Sequence, residues 1–214
     1  MKMWVFRVPK AHGGDPDTRC PVELNQDAIG TGVTGRSQHI TDYSGGLNFV
    51  LDEIFNHKRL RQGWGVPTLD LRLSENAWIE NYIIASNRYW NDPTSCENAS
   101  GRRRILIGMI EMMPRDIIFL PSVGHAVIDD ACFSVCRVSN RYFFEDRSQH
   151  VTTWEKDFAH VIPIEKIQTF NYAHGTLERS MFGAPYLHAL DEVQSHFDSY
   201  NIIRNFADNN RLLS

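Results

Sequence analysis

Trp64 stands between two glycines in the run Arg61-Gln62-Gly63-Trp64-Gly65. Trp154 stands in a polar run, 148–157, where no core periodicity asks for a large ring. Two aromatic rings on loops beside a sheet can sandwich a flat group, and each stacked base is worth about 1–3 kcal/mol. Gly63 and Gly65 would clear space around the Trp64 ring. The alternative for both residues is a rim tryptophan that packs a loop down. Trp4 and Trp78 read differently. Trp4 alternates with Phe6 in a strand-like opening, and Trp78 shares a helical face with Tyr82, Ala85 and Tyr89, so both belong to a core. Trp90 ends a helical pattern before a polar loop and fits either role.

The second chemical signal is basic. Arg102, Arg103 and Arg104 are consecutive, with Arg115 nearby, and they fall at the start of a helical pattern. Positive charge there opposes the helix dipole, so helix stability does not explain the cluster. Contact with phosphates would explain it, and so would a solvated face. Arg59, Arg61, Arg88 and Arg141 could extend the patch. The chain as a whole carries 22 Lys and Arg against 26 Asp and Glu, a formal charge of -4. That excludes a generic histone-like binder, which needs a broad basic surface, and leaves only a local patch.

Catalytic signatures are weaker. Gly30, Gly32 and Gly35 match a G-x-G-x-x-G spacing, but no buried strand precedes them and no helical pattern follows, as a dinucleotide site requires. Ser122, Gly124 and His125 form no nucleophile elbow. Nine histidines are scattered without an HExxH. Glu155, Asp157 and Glu165, beside Lys156 and Lys166, supply the groups of a small metal-dependent nuclease, or simply a solvated face. Cys20, Cys96, Cys132 and Cys136 have no zinc spacing. Cys132 and Cys136 lie on one side of an apolar strand pattern and read as small buried hydrophobes in a reduced compartment. No cofactor and no metal is expected. Residues 1–10 are too short and too charged for a signal peptide, and no apolar run is long enough to span a membrane. The expectation is a cytoplasmic protein.

The elements that must position these residues follow from periodicity. Residues 1–8 alternate as a strand, with Trp4 and Phe6 on one face. A polar, glycine-rich insertion follows at about 9–46. Leu47, Val50, Leu51, Ile54 and Phe55 form a helical stripe. Ser74 caps a second helix, and 102–113 reads as a third, ended by Pro114. The period then changes to two. Strands are expected at 116–121, 131–138, 141–144 and from 158 toward 170. Leu187, Leu190, Val193 and Phe197 predict a last helix, weakly extended by Ile202, Ile203 and Phe206. The order strand, helices, strands, helix predicts an α+β fold, with a curved sheet or partly open β-barrel flanked by helices, in a single domain over 1–214.

This order of elements resembles the PUA-like superfamily, in particular its YTH and EVE branches. The resemblance rests on the Gly-flanked Trp64 after the first helix, the strand D-I-I-F-L-P at 116–121, the strand F-S-V-C-R-V at 133–138, and Trp154 four residues before Phe158 at the last strand. It covers about 1–8 and 47–200. Members of these branches hold a modified, flipped-out base in an aromatic cage. The resemblance therefore implies a cage of Trp64 and Trp154. Tyr142, Phe143 or Phe144 would replace a middle cage tryptophan that this chain lacks. It implies a pocket edge of Gly63, Gly65, Asp157 and Asp146, with Asn25 a further edge candidate. Arg61, Arg102, Arg103 and Arg104 would hold the nucleic-acid backbone. The 61–65 and 157–160 blocks are also similar to modified-base sensors of prokaryotic restriction and antiviral defence proteins. The implied partner is DNA or RNA with a methylated base, together with an effector nuclease or NTPase. The other readings are the metal-dependent nuclease and a free-nucleotide sensor using the same pocket.

Overall fold

A computed structural model describes residues 1–8, 46–90, 99–146, 157–172, 177–183, 186 and 189–212. Trp154, Glu155, Asn25, Cys20, Cys96 and the Gly30–Gly35 motif lie outside the described residues, as does nearly all of the 9–46 insertion.

The fold is α+β. Strand β1 (Met3–Phe6) is followed by helix α1 (Gly46–Phe55), strand β2 (Arg59–Gln62), and helices α2 (Glu75–Ala85), α3 (Ala99–Leu106) and α4 (Gly108–Glu111). Strands β3 (Ile117–Gly124), β4 (Val127–Val138), β5 (Phe143–Phe144), β6 (His160–Asn171) and β7 (Leu190–Glu192) follow, and helix α5 (Tyr200–Asn209) closes the series. The sheet runs β2-β6-β4-β3-β1-β7, with β5 paired to β6. Among the described residues only β1 and β3 are parallel, and the other pairs are antiparallel.

Two irregularities curl this sheet. Pro121 has no N–H to give to a ladder, and the β3–β4 register shifts just after it, where Ser122 takes a φ of 58°. Between β4 and β6, Val135 faces Gln168 and Arg137 faces Glu165. Two steps on β4 thus span three on β6, and the extra residue goes with Lys166 at a φ of 52°. Such bulges bend a strand and increase its twist. The result is a curled, mixed half-barrel whose edge strands, β2 and β7, do not meet. His125 and Ala126, both at positive φ, form the two-residue turn of the β3–β4 hairpin.

Alternation along β1 sends its side chains into two cores. Trp4 and Phe6 join Ile118, Leu120, Ile162 and the helices on one face. Met3 and Val5 join Phe119, Phe133, Phe182 and Phe206 on the other. The stripe read for α1 is the buried one, and Ser74 Oγ accepts the Ala77 N–H at 3.3 Å to cap α2. Cys132 and Cys136 are both buried. Among the described residues no helix is long and apolar enough to cross a membrane.

Two sequence expectations need correction. The 187–197 pattern does not form a helix. Leu190–Glu192 is an edge strand whose residues face Phe6, Val5 and Trp4 of β1, and that pairing overrides a spacing that happened to match a helical period. The helix lies later, at Tyr200–Asn209, and buries Ile203, Phe206 and Ala207. The helix read at 102–113 is broken into α3 and α4. Gly108, at the break, lets the chain press against the sheet: a Cβ there would lie 3.0 Å from both Trp4 and Leu190.

Candidate functional site

Strand β2 delivers the Gly-Trp-Gly turn to the start of β6. Arg61 faces Val161 and Gln62 faces His160. The chain then turns at Gly63, Trp64 and Gly65 across 157–159. Trp64 N donates to Asp157 Oδ1 at 2.8 Å, and Gly65 N donates to the Asp157 carbonyl at 2.7 Å. A Cβ on Gly65 would lie 2.7 Å from Ala159 N, and one on Gly63 would lie 3.0 Å from Asp157 Oδ2. The glycines therefore make room for backbone contact between two segments, rather than for open space around the ring. Asp157, expected to read a base edge, is 1% exposed and holds the turn instead.

Trp64 itself has a φ of 58°. This left-handed conformation costs a residue with a Cβ about 1 kcal/mol or more. A buried relay helps to hold it. The Trp64 carbonyl lies 3.1 Å from His160 Nε2, and His160 Nδ1 lies 2.9 Å from the Tyr142 hydroxyl. A carbonyl can only accept, so Nε2 carries the proton, and Nδ1 of the neutral ring accepts from Tyr142. Burial pushes the His160 pKa down to about 4 and the Tyr142 pKa up, so both groups are neutral near pH 7. Tyr142 is thus a buried support of the turn, with its hydroxyl committed to His160. Phe144 pairs with His160 and its ring lies 5.4 Å from the imidazole. Phe143, the adjacent residue on β5, points to the opposite face by alternation. Of Phe143 and Phe144, Phe144 is the one brought against His160, beside the Tyr142 support.

The arginines divide. Arg61, expected on the nucleic-acid backbone, is 0% exposed. Its Nε lies 2.5 Å from Glu53, its Nη2 lies 2.5 Å from Glu145, and its Nη1 donates to the Phe158 carbonyl. It is a buried ion-paired strut and cannot reach a phosphate. Consecutive residues on α3 point about 100° apart, and the triplet separates accordingly. Arg103 Nη2 donates to the Leu73 carbonyl at 3.1 Å, tying down the loop before α2. Arg104 is exposed. Arg102 lies over Trp64, with its Cζ 4.7 Å from the ring centroid. Asp146 is exposed beyond β5. Beneath Arg102, Trp64 is only 4% exposed, and its Nε1 has no hydrogen-bond partner among the described residues.

The groups suggested for a nuclease are not assembled among the described residues. Glu165 is five residues along β6 from His160, about 16 Å at strand rise, while Asp157 is bound to the turn. Among the described residues no group of three or more His, Cys, Asp or Glu could hold a metal ion.

His160 and Phe144 are the residues that the sequence reading passed over or underweighted. His160 falls in line with Phe158, Ile162 and Ile164, all on one core face. A histidine in a buried register was the available signal, since such a ring must find partners. Comparison of the chain with known protein families, with curated proteins and with solved structures finds no match.

Proposed function

We propose that this chain is a non-catalytic nucleic-acid reader with a PUA-like, YTH/EVE-type fold, which captures a modified, flipped-out base against Trp64. The observation that carries the reading is the turn. Three hydrogen bonds flank a tryptophan in a strained conformation, yet its indole N–H is left without a partner among the described residues. Local strain of this kind clusters at functional sites. With Arg102 on one face of the indole, the base takes the other. Trp154 is the second wall in this reading, and Phe144 stands in for the third. In a restriction or defence system such a reader would direct a separate effector nuclease or NTPase to modified DNA or RNA.

Magnitudes set the expected selectivity. Stacking favours any base, whereas a buried methyl group adds about 0.8 kcal/mol, about fourfold in affinity. A close-fitting pocket raises this further, against the cost of extruding the base. The test is a binding panel of single-stranded and duplex DNA and RNA, with and without methylated bases, at several salt concentrations. A preference of fourfold or more for one methylated oligonucleotide is expected. Equal affinity for all methylated and unmodified forms would overturn the reading. Nicking of plasmid with Mg²⁺ would favour the nuclease instead. Stabilisation by free nucleotides without oligonucleotide binding would favour the sensor.

A further inference from the structure

Three tryptophans are described as buried, and two of them have satisfied indole donors. Trp4 Nε1 donates to Asp116 Oδ2 at 3.1 Å, and Trp78 Nε1 donates to the Leu69 carbonyl at 2.9 Å. Trp64 Nε1 donates to nothing among the described residues, although Trp64 is 4% exposed. A second such donor sits beside it. Arg102 Nε is also buried without a partner. It is bonded directly to the Cζ that lies 4.7 Å from the Trp64 ring centroid, so both donors belong to one contact. No carboxylate pairs with Arg102 among the described residues, whereas Arg59 and Arg61 on the neighbouring strand share Glu53 and Glu145.

A buried donor without an acceptor costs about 1–3 kcal/mol, and more when the group is charged. Whatever binds here gains by supplying the missing acceptors. Two oxygens are needed, with negative charge to match the guanidinium. The donors belong to two planar groups, with Arg102 Cζ over the Trp64 ring. A flat carboxylate suits a fork within one plane, while the oxygens of a tetrahedral anion reach two planes. We propose that Trp64 Nε1 and Arg102 Nε form a phosphate site, each donating to a different oxygen of one phosphate. This rests on the base-reading function for the identity of the ligand, which is then the backbone phosphate next to the captured nucleotide. It also assigns Trp64 two roles, with its ring against the base and its edge against the phosphate.

Indole ¹⁵N–¹H spectra test this directly. Trp64→Phe keeps an aromatic ring, removes the donor together with part of the indole, and identifies the Trp64 resonance by its disappearance. The probes are inorganic phosphate, a 2′-deoxynucleoside 5′-monophosphate, the matching nucleoside, and a short oligodeoxynucleotide. The Trp64 resonance is expected to move saturably with inorganic phosphate, to move further with the nucleotide than with the nucleoside, and not to move with chloride at equal ionic strength. Arg102→Gln is expected to abolish that response while leaving the other indole resonances in place. It is also expected to lower the salt slope of oligonucleotide binding by about 0.7–0.9. Trp64→Phe is expected to weaken oligonucleotide binding about tenfold. A Trp64 resonance unmoved by inorganic phosphate, or moved no further by the nucleotide than by the nucleoside, would overturn the phosphate site. The two proposals fail separately. A phosphate response without any preference for methylated bases retains this site and removes the base reading. A methyl preference with a Trp64 resonance unmoved by inorganic phosphate does the reverse.

Discussion

Trp4 and Trp64 are built from the same parts, differently connected. Each is a buried tryptophan beside a buried aspartate, with a cation over its ring: Lys2 Nζ at 5.2 Å over Trp4, and Arg102 Cζ at 4.7 Å over Trp64. At Trp4 the aspartate closes the network. Asp116 accepts from the indole N–H, from Lys2 N at 2.7 Å and from Met113 N at 3.1 Å. At Trp64 the aspartate takes the backbone N–H instead, and the indole N–H is left over. The first arrangement is complete and serves the fold. The second spends its carboxylate on holding a strained turn and leaves two donors without acceptors among the described residues. The two tryptophans are alike in burial and differ in which donors are satisfied.

The largest effect that sharpens this contrast is expected from Asp116→Ala, which strands one buried and two part-buried donors. It should cost about 4 kcal/mol in urea unfolding and leave the residual folded protein's preference for methylated oligonucleotides unchanged. A loss under 1 kcal/mol would mean that the Trp4 network is not a structural knot.

The next effect is on pH. His160 has a pKa of about 4 in the folded protein, below its ordinary 6.5. The unfolded chain therefore takes up the proton first as pH falls. Stability from this group is full above about pH 6.5, declines toward pH 4, and changes no further below it, a total of roughly 3 kcal/mol. Urea midpoints at pH 7.5 and 4.5 should differ less in His160→Gln than in the wild type. An identical difference in both would refute the buried neutral imidazole.

Gly65→Ala is expected to cost about 1–3 kcal/mol, because its Cβ would press on Ala159 and force the turn outward. Oligonucleotide binding should fall with it. Normal binding in a destabilised Gly65→Ala protein would uncouple the turn from the site.

The smallest shift is the most discriminating. Trp4→Phe loses part of a buried ring and one of the three bonds to Asp116, which keeps Lys2 N and Met113 N, and should cost about 2–3 kcal/mol. Trp64→Phe loses the same part of the ring but no hydrogen bond among the described residues, and should cost about 1–2 kcal/mol. Equal losses would erase the difference between the two tryptophans. Trp64→Ala is a poorer probe, since deleting a buried indole costs about 3–5 kcal/mol wherever it lies.

Much of the frame could be read from local pattern. The two faces of β1, the α1 stripe, the Ser74 cap and the core roles of Trp4 and Trp78 follow from periodicity and capping chemistry, which act within a few residues. What failed depended on distant partners. The 187–197 spacing was compatible with a helix until β1 claimed Leu190–Glu192 as an edge strand. Three adjacent arginines looked like one patch, but their fates depend on what each meets on its own side of α3: the Trp64 ring, the Leu73 carbonyl, or solvent. Arg61 looked exposed by type, and only Glu53 and Glu145 explain its burial. Gly63 and Gly65 were singled out correctly as unusual, but for a different reason, since the segment they accommodate lies more than 90 residues further on.

The central claim is that the Trp64 turn receives a modified base. It is tested most directly by measuring, under identical salt, the affinity of the wild-type chain for one oligonucleotide with and without a methylated base, across the panel of DNA and RNA forms. A fourfold or greater preference for a methylated form is expected, and a ratio of one throughout would contradict it.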